Sequence, residues 1–301
     1  MKVWFNKVLS RCVIAVVLAF SHLPLRVLYL FSNLTKFVMH RVLRYRLKVV
    51  RSNLELAFPE KTEKERRDIE NRFYRHFADY IFETIKSTTI SKKELLTRMV
   101  IVNPEVVNKF CEQKRPVMIY GGHFGNWEWF NTFPDYFPSV RIYTFYQPQK
   151  NYLTNYLTLY TRTRDGITAI ESNKGYRGMV TVASQGQGGV TLILGDQCPH
   201  RTAKKFWVKD FFGIDTPFLV GTDRIAKKTK QVLVFPSFIA YERGRYTVEM
   251  KVIEEFPQDV ESTELIERYA KLLEADIRRI PELWLWSHRR WKLKHENFPD
   301  E

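Results

Sequence analysis

Short apolar runs alternate with segments of helical periodicity from residue 100 onward, and this alternation constrains the fold more than any other feature of the chain. Strands that alternate with helices form βαβ units, which build a mostly parallel sheet flanked by helices. The predicted fold class is therefore α/β. Strands are predicted at 116–120, 140–146, 166–170, 190–194 and 232–238, and helices at 104–113, 124–132, 151–162, 174–184 and 217–228. An antiparallel edge strand at 246–253 and a closing helix at 262–279 complete this prediction.

One folded domain, residues 51–301, is predicted after an N-terminal segment at residues 1–50. The chain contains no internal repeat, low-complexity tract or Gly/Ser-rich linker that would divide it further. Apolar residues recur every four positions at 63–86, which predicts an amphipathic helix with a core-facing stripe. The three cysteines Cys12, Cys111 and Cys198 are far apart, a pattern that argues against a disulfide framework or a zinc cluster.

The N-terminal segment carries most of the net charge of +15. Residues 1–51 contain ten basic side chains and no acidic one, and these cations flank an apolar run at 13–20. The uncharged stretch is shorter than the roughly 20 residues that a spanning helix needs. Residues 12–35 are therefore expected to form either one kinked membrane helix or a helix lying in the interface. A cleaved signal peptide and a buried core helix are the alternatives. The basic cluster at 41–51 is typical of segments that bind anionic lipid on the cytoplasmic side.

A histidine and a glutamate follow the predicted strand at 116–120, just after two glycines. Gly121 and Gly122 permit a tight turn that places His123 at the carboxyl end of the strand, where parallel sheets form their ligand crevices. Glu128 is expected to accept a hydrogen bond from one imidazole nitrogen. The other nitrogen is then free to take a proton from a substrate hydroxyl. Taken alone, this spacing has little specificity, because a loop histidine and a carboxylate at a helix start are both ordinary.

Several motifs along the chain carry a resemblance to one enzyme family. Residues 121–130, GGHFGNWEWF, resemble the His-x₄-Asp/Glu block of glycerolipid acyltransferases in the variant typical of the late (lauroyl/myristoyl) acyltransferases of lipid A biosynthesis. The other matching blocks run in family order from 51 to 292. They are RSNLELAFP at 51–59, GDQ at 195–197, FFG at 211–213 with RIA at 224–226, and PELWLWSHRRWK at 281–292.

The resemblance implies that a fatty acyl group moves from a thioester donor, usually acyl carrier protein, to a hydroxyl of a membrane glycolipid such as a lipid A precursor. It implies His123 as general base and Glu128 as its orienting partner, with no metal and no cofactor. General-base catalysis contributes typically 10²–10⁴-fold. Backbone N–H groups around Gly121–Gly125 and at the start of the next helix are candidates for an oxyanion hole, with Gly125 and Asn126 placed at the substrate.

The same resemblance implies further substrate-binding residues. Arg164 matches a position where related acyltransferases use arginine on phosphate, for which its bidentate donors are suited. Asp196 and Gln197 match a block on the acceptor side. Cys198 stands where the family commonly has aspartate. Acyl-chain length and acceptor identity are therefore not carried over.

Two other functions remain open from the sequence. One is the same chemistry on another lipid, such as an inositol mannoside, an ornithine lipid or a glycerophosphate. The other is a basic protein without catalysis, bound to a membrane surface or to nucleic acid. No helix-turn-helix, zinc-finger or RNA-module signature supports nucleic acid. We therefore expect no nucleic-acid partner, and we expect an enzyme on the anionic inner membrane with its catalytic domain facing the cytoplasm.

Overall fold

The computed structural model describes residues 14–149, 152–172, 175–184 and 189–298. Its first part is helical throughout. Helix α1 is described over residues 14–21. The helix does not continue into α2, because Pro24 lacks the backbone N–H that a continuous helix would need. The remaining N-terminal helices are α2 (Leu25–Phe37), a π-helical turn (Val38–Val42), α3 (Leu47–Ala57) and α4 (Glu63–Lys86). Cys12 and the first three basic side chains lie outside the described residues.

Helix α2 packs on α4 with one face and leaves its other face exposed. Leu25 and Leu28 are buried in the core, whereas Leu30 and Leu34 are 68% and 61% exposed. Among the described residues, no helix has the length and the apolar content that crossing a bilayer requires. The spanning alternative predicted for residues 12–35 is thus unsupported, while an amphipathic helix is present.

Helix α4 coincides with the predicted amphipathic helix. Thr62 and Glu65 form a capping box in which each side chain accepts from the other residue's backbone N–H, so the helix begins where the sequence signals it. Its buried face is more polar than predicted, because Asp79 and Glu83 are completely buried beside apolar residues such as Phe73.

The main sheet has seven strands in the order β1-β9-β8-β2-β5-β3-β4. All neighbouring strands are parallel except β8 and β9. The predicted antiparallel strand is confirmed as β9, but β1 lies outside it at the edge. The strands are β1 (Met99–Ile101), β2 (Val117–Gly121), β3 (Arg141–Tyr146), β4 (Ile167–Glu171), β5 (Gly189–Leu194), β8 (Val232–Glu242) and β9 (Arg245–Glu254).

A two-stranded antiparallel sheet of β6 (Lys205–Phe211) and β7 (Ile214–Leu219) was not predicted. Its second strand, β7, includes the first residues of the helix predicted at 217–228, and that helix begins only at Thr222. The helix expected at 124–132 is also wrong in type, because Trp127–Thr132 forms a 3₁₀-helix. The other helices are α5 (Lys92–Leu96), α6 (Glu105–Glu112), α7 (Phe133–Tyr136), α8 (Tyr152–Thr163), α9 (Gly175–Ser184), α10 (Thr222–Thr229) and α11 (Ser262–Arg279).

Strands β2 and β5 lie side by side at the centre of the core. Every residue of β2 is buried, as expected for a central strand of a parallel sheet with both faces covered. Their register pairs Gly121 with Leu194, so the two strands end at the same level. Residues that follow these strands at equal distances therefore emerge beside each other at the carboxyl edge.

Candidate active site

His123 and Asp196 meet just beyond the paired ends of β2 and β5. Each lies two residues past the Gly121–Leu194 pair, and the ring nitrogen Nδ1 of His123 is 2.6 Å from Oδ1 of Asp196. The backbone N–H of His123 also donates to Oδ2 at 2.9 Å. The carboxylate therefore fixes both the backbone and the ring of the histidine.

A close approach of the two strand ends makes room for this pair. The backbone N–H of Gly195 donates to the carbonyl of Gly121 at 3.0 Å. A Cβ at Gly195 would lie 2.2 Å from the ring of Tyr120, so only glycine fits there. Tyr120 is itself held by Tyr269, whose ring stacks on it at 3.7 Å and whose hydroxyl donates to the carbonyl of Gly121.

When the ring of His123 carries one proton, the contact with the ionised carboxylate of Asp196 places that proton on Nδ1. Burial opposes ionisation of Asp196, but His123 and the donors around the carboxylate outweigh it and lower its pKa to about 2. With the proton on Nδ1 facing Asp196, Nε2 presents a lone pair. The amide nitrogen of the exposed Gln197 lies 3.2 Å from Nε2 and donates to it. Gln197 thus occupies the hydrogen-bonding position at Nε2.

Residues 281–292, referred to here as the C-terminal segment, also contact His123 and Asp196. Phe124 and Trp284 form an antiparallel bridge, and the N–H of Leu285 donates to the carbonyl of His123 at 3.1 Å. The indole Nε1 of Trp284 donates to Oδ2 of Asp196 at 2.8 Å. The sequence identified the tryptophan-rich block as a family motif, but it did not reveal that Trp284 binds the carboxylate.

Glu128 does not accept from His123 in this structure, so the predicted contact is wrong. Its carboxylate forms a bidentate ion pair with Arg162 of α8, at 2.6 and 3.0 Å. Because residues 127–132 form a 3₁₀-helix, the glutamate is directed across the chain toward α8 instead of back to the histidine. The place predicted for Glu128 is taken by Asp196. Arg162, 34 residues away, carried no sequence signal for this pairing.

Gly125 and Asn126, which were predicted at the substrate, are both buried and contact other parts of the protein. The amide of Asn126, which is fully buried, donates to Glu83 at 2.7 Å. Burial raises the pKa of Glu83 to about 6. Gly125 has a φ of +62°, and a Cβ there would lie 2.4 Å from the ring of Phe238.

Three of the backbone N–H groups predicted as oxyanion donors, those of residues 123–125, are already engaged. The N–H groups of His123, Phe124 and Gly125 donate to Asp196, to the carbonyl of Gly122 and to the carbonyl of Leu283, respectively. These three amides hold the turn together, and they are not free to stabilise a developing oxyanion.

Arg164 is likewise engaged by the protein. Its guanidinium donates to the carbonyls of Ser87 and Ile90 at 2.6 and 3.1 Å, and it pairs with Asp165 at 3.3 Å. This arrangement ties the end of α8 to the loop after α4. The predicted role on phosphate finds no support in these contacts.

A cavity of about 180 Å³ opens beside His123. Its walls are mostly apolar, as is usual for sites that hold an organic ligand, and Glu128 and Arg162 provide a paired polar wall. The lining residues are His123, Trp127, Glu128, Phe130, Asn131, Thr144, Phe145, Arg162, Ile167 and Leu192–Leu194.

The sequence of the chain resembles those of known bacterial proteins over most of its length. The bacterial lipid A biosynthesis acyltransferase family matches residues 6–293. The chain is 26% identical over 284 residues to a lipid A biosynthesis lauroyltransferase of Escherichia coli K12, which covers 92% of this chain and 89% of that protein. It is 24% identical over 276 residues to a lipid A biosynthesis acyltransferase of Haemophilus influenzae, which covers 91% and 83%. A second Haemophilus influenzae protein with the same description is 23% identical over 253 residues and covers 83% and 76%. The chain is therefore an acyltransferase that belongs to the bacterial lipid A biosynthesis acyltransferase family.

Proposed function

We propose that this enzyme transfers a fatty acyl group from acyl carrier protein to a hydroxyl of a lipid A precursor, with His123 as the general base. The observation that carries this proposal is the 2.6 Å contact between His123 Nδ1 and Asp196, which leaves Nε2 as an acceptor beside an apolar cavity. The family relationship supports acyl transfer, and the relatives named above indicate the lipid A pathway.

In this mechanism Nε2 of His123 removes the proton of the acceptor hydroxyl after Gln197 moves aside. The hydroxyl oxygen attacks the thioester carbonyl, and the carbon–sulfur bond breaks as the ester forms. The proton on Nε2 then passes to the departing thiolate. While the ring is protonated, the carboxylate of Asp196 stabilises its positive charge. Asp196 thus takes the orienting role, and the Glu128–Arg162 pair shapes the cavity.

We also propose that the enzyme lies on the cytoplasmic face of the inner membrane through its N-terminal helices. The support is an apolar face on α2 and the following turns, where Leu34, Phe37, Val42 and Leu43 are 57–68% exposed. Exposed apolar clusters of this kind are typical of membrane or protein contacts. The neighbouring basic side chains would add about 1 kcal/mol each on an anionic leaflet.

The test is acyl transfer by the purified full-length protein from acyl carrier protein thioester to a lipid A precursor, followed by mass spectrometry. We expect His123→Ala to reduce the rate by at least about 10²-fold. The control is His22→Ala, the same change at an exposed residue, which should keep the wild-type rate. A His123→Ala protein with normal transfer would refute the mechanism. A deletion strain with an unchanged lipid A acyl count would refute the acceptor and favour another lipid.

A further inference from the structure

A second cavity, of about 790 Å³, is lined mostly by arginine and lysine side chains. It lies between the start of α3 and the C-terminal segment, and its walls contain no acidic side chain. Its lining residues are Arg44, Arg46, Leu47, Lys48, Val49, Arg51, His288, Arg289 and Lys292. Six side chains with permanent positive charge therefore surround one concave space.

Most of this charge is not neutralised by the protein. Arg51 pairs with Glu70 at 2.8 Å. Within the part of the chain that the structure describes, none of the other five cationic side chains has a carboxylate within ion-pair distance. Arg44 and Arg46 also have φ values of +48° and +51°, a left-handed conformation that costs about 1–2 kcal/mol at each non-glycine residue. Bringing these side chains together therefore costs both backbone strain at Arg44 and Arg46 and electrostatic repulsion among the cations.

The two walls of the cavity are joined by hydrogen bonds. Asn53 donates to the carbonyls of Trp286 and His288 at 2.8 and 2.7 Å, and Arg46 donates to the carbonyl of Ser287 at 3.0 Å. These bonds hold α3 against the C-terminal segment, so the cations are presented on a supported surface.

The same segment connects this cavity to the active site. His288 lines the cavity, and its Nε2 accepts from the N–H of Cys198 at 2.9 Å. Cys198 follows Asp196 and Gln197, and Trp284 of the segment donates to Asp196. A ligand in the cationic cavity therefore lies close to the site where Gln197 contacts His123.

We propose that the cationic cavity binds a phosphate monoester on the headgroup of the acceptor lipid. The inference rests on the function proposed above, and it assigns the recognition of the acceptor to residues outside the catalytic pair. A phosphate monoester carries about −1.5 to −2 charge at neutral pH and three acceptor oxygens, which several arginine and lysine donors can satisfy together. Its binding also relieves the repulsion among the cations.

The shape of the site favours a small anionic group over the surface of an acidic protein. Its volume lies within the roughly 300–1,000 Å³ typical of small-ligand pockets, whereas protein partners bury broad surfaces. An adjoining cavity of about 380 Å³ shares Lys48, Val49, Arg289 and Lys292 and adds the apolar side chains of Leu56 and Trp291. A phosphate would fit the cationic cavity, and a partly apolar headgroup attached to it would fit the adjoining cavity.

The experiment compares two acceptors, the phosphorylated lipid A precursor and the same lipid after enzymatic removal of its phosphates. The test variant is Lys48→Ala/Arg289→Ala, which removes one cation from each wall. The control is Lys64→Ala/Lys93→Ala, which removes two exposed charges that do not line this cavity. We expect the test variant to raise KM for the phosphorylated acceptor roughly 10–100-fold, as expected for lost hydrogen bonds to charged groups, with a much smaller change for the dephosphorylated lipid. Lys48→Arg/Arg289→Lys should recover most of the loss.

Three results would overturn the proposal. An equal change in KM for both acceptors would show that the cavity does not recognise phosphate on the acceptor. A rise in KM for acyl carrier protein alone would make it the donor's docking site. Loss of binding to phosphatidylglycerol vesicles with an unchanged acceptor preference would assign it to membrane headgroups. Equilibrium binding of the two lipids to the protein in detergent micelles, without the acyl donor, is measured separately from turnover. If the wild type transfers no acyl group, the proposed function is refuted, but this binding measurement still shows whether the cavity recognises phosphate.

Discussion

Replacing Asp196 by asparagine should reverse the proton arrangement of His123 while preserving the shape of the site. Oδ2 of Asp196 accepts from the N–H of His123 and from the indole of Trp284, and Oδ1 accepts only from Nδ1 of His123. An asparagine satisfies the first two donors by placing its oxygen at the Oδ2 position. Its NH₂ group then faces Nδ1, which must become the acceptor, so the ring proton moves to Nε2.

The expected loss of activity follows from this tautomer. With a proton on Nε2 the ring cannot accept from the substrate hydroxyl, so the general-base contribution of about 10²–10⁴-fold disappears, equivalent to roughly 3–5 kcal/mol of transition-state stabilisation. Folding stability should fall less, by about 1–3 kcal/mol, because three hydrogen bonds to a charged carboxylate are replaced by weaker ones to a neutral amide. The assays are kcat/KM for acyl transfer and thermal unfolding in detergent.

The pH dependence of stability provides a second measurement. The pKa of Asp196 is lowered to about 2 in the folded protein, below its ordinary 3.8. The stabilising contribution of the carboxylate is therefore complete above pH 3.8, and it is lost as the pH falls toward 2. The stability difference between wild type and Asp196→Asn should be constant above that range and shrink below it. Asp68→Asn, an exposed change of the same type, is the control. Wild-type kcat/KM in the Asp196→Asn protein would refute the reasoning.

Two further predictions concern the surroundings of the site. Glu128→Gln leaves Arg162, with only 24% of its side chain exposed, without its counter-charge, so stability should fall by up to about 3 kcal/mol. Adding Arg162→Met should restore most of it in thermal unfolding, and a double variant no more stable than the single one would contradict this. Gly125→Ala combines a left-handed backbone with a clash against a buried ring, and it should cost about 2–4 kcal/mol. Gly213→Ala, at φ +72° with no heavy atom within 4 Å of the added Cβ, should cost only about 1–2 kcal/mol, and equal losses in the two unfolding curves would argue against the packing explanation.

Most helices and strands were predicted correctly because their signals, such as periodicity and capping, lie within a few neighbouring residues. The stripe at 63–86 and its capping box define α4, and the buried apolar runs define the central strands. The β6–β7 sheet was missed because its second strand contains Pro217 and precedes a true helix, so strand and helix signals merged. A helix was predicted at 124–132, but residues 127–132, just before Pro134, adopt the tighter 3₁₀ form.

For the candidate site, the sequence predicted individual residues but not which of them pair, because pairing depends on contacts between distant parts of the chain. His123 was identified by its position after a strand, whereas Asp196 was named only through the family resemblance, as a residue on the acceptor side. Their pairing depends on β2 and β5 being neighbours in register, which no local pattern gives. Glu128 was assigned to His123 because it is near in sequence, whereas its partner Arg162 lies on α8.

The indole of Trp284 has a consequence for the order in which the enzyme is made. Trp284 follows Asp196 by 88 residues, so a ribosome adding about 5–20 residues per second leaves the carboxylate without this donor for roughly 4–18 s. During that interval the growing chain holds His123 and Asp196 but lacks the residue that forms a β-bridge with Phe124. The carboxylate of Asp196 therefore receives its third donor only after residue 284 has been added to the growing chain.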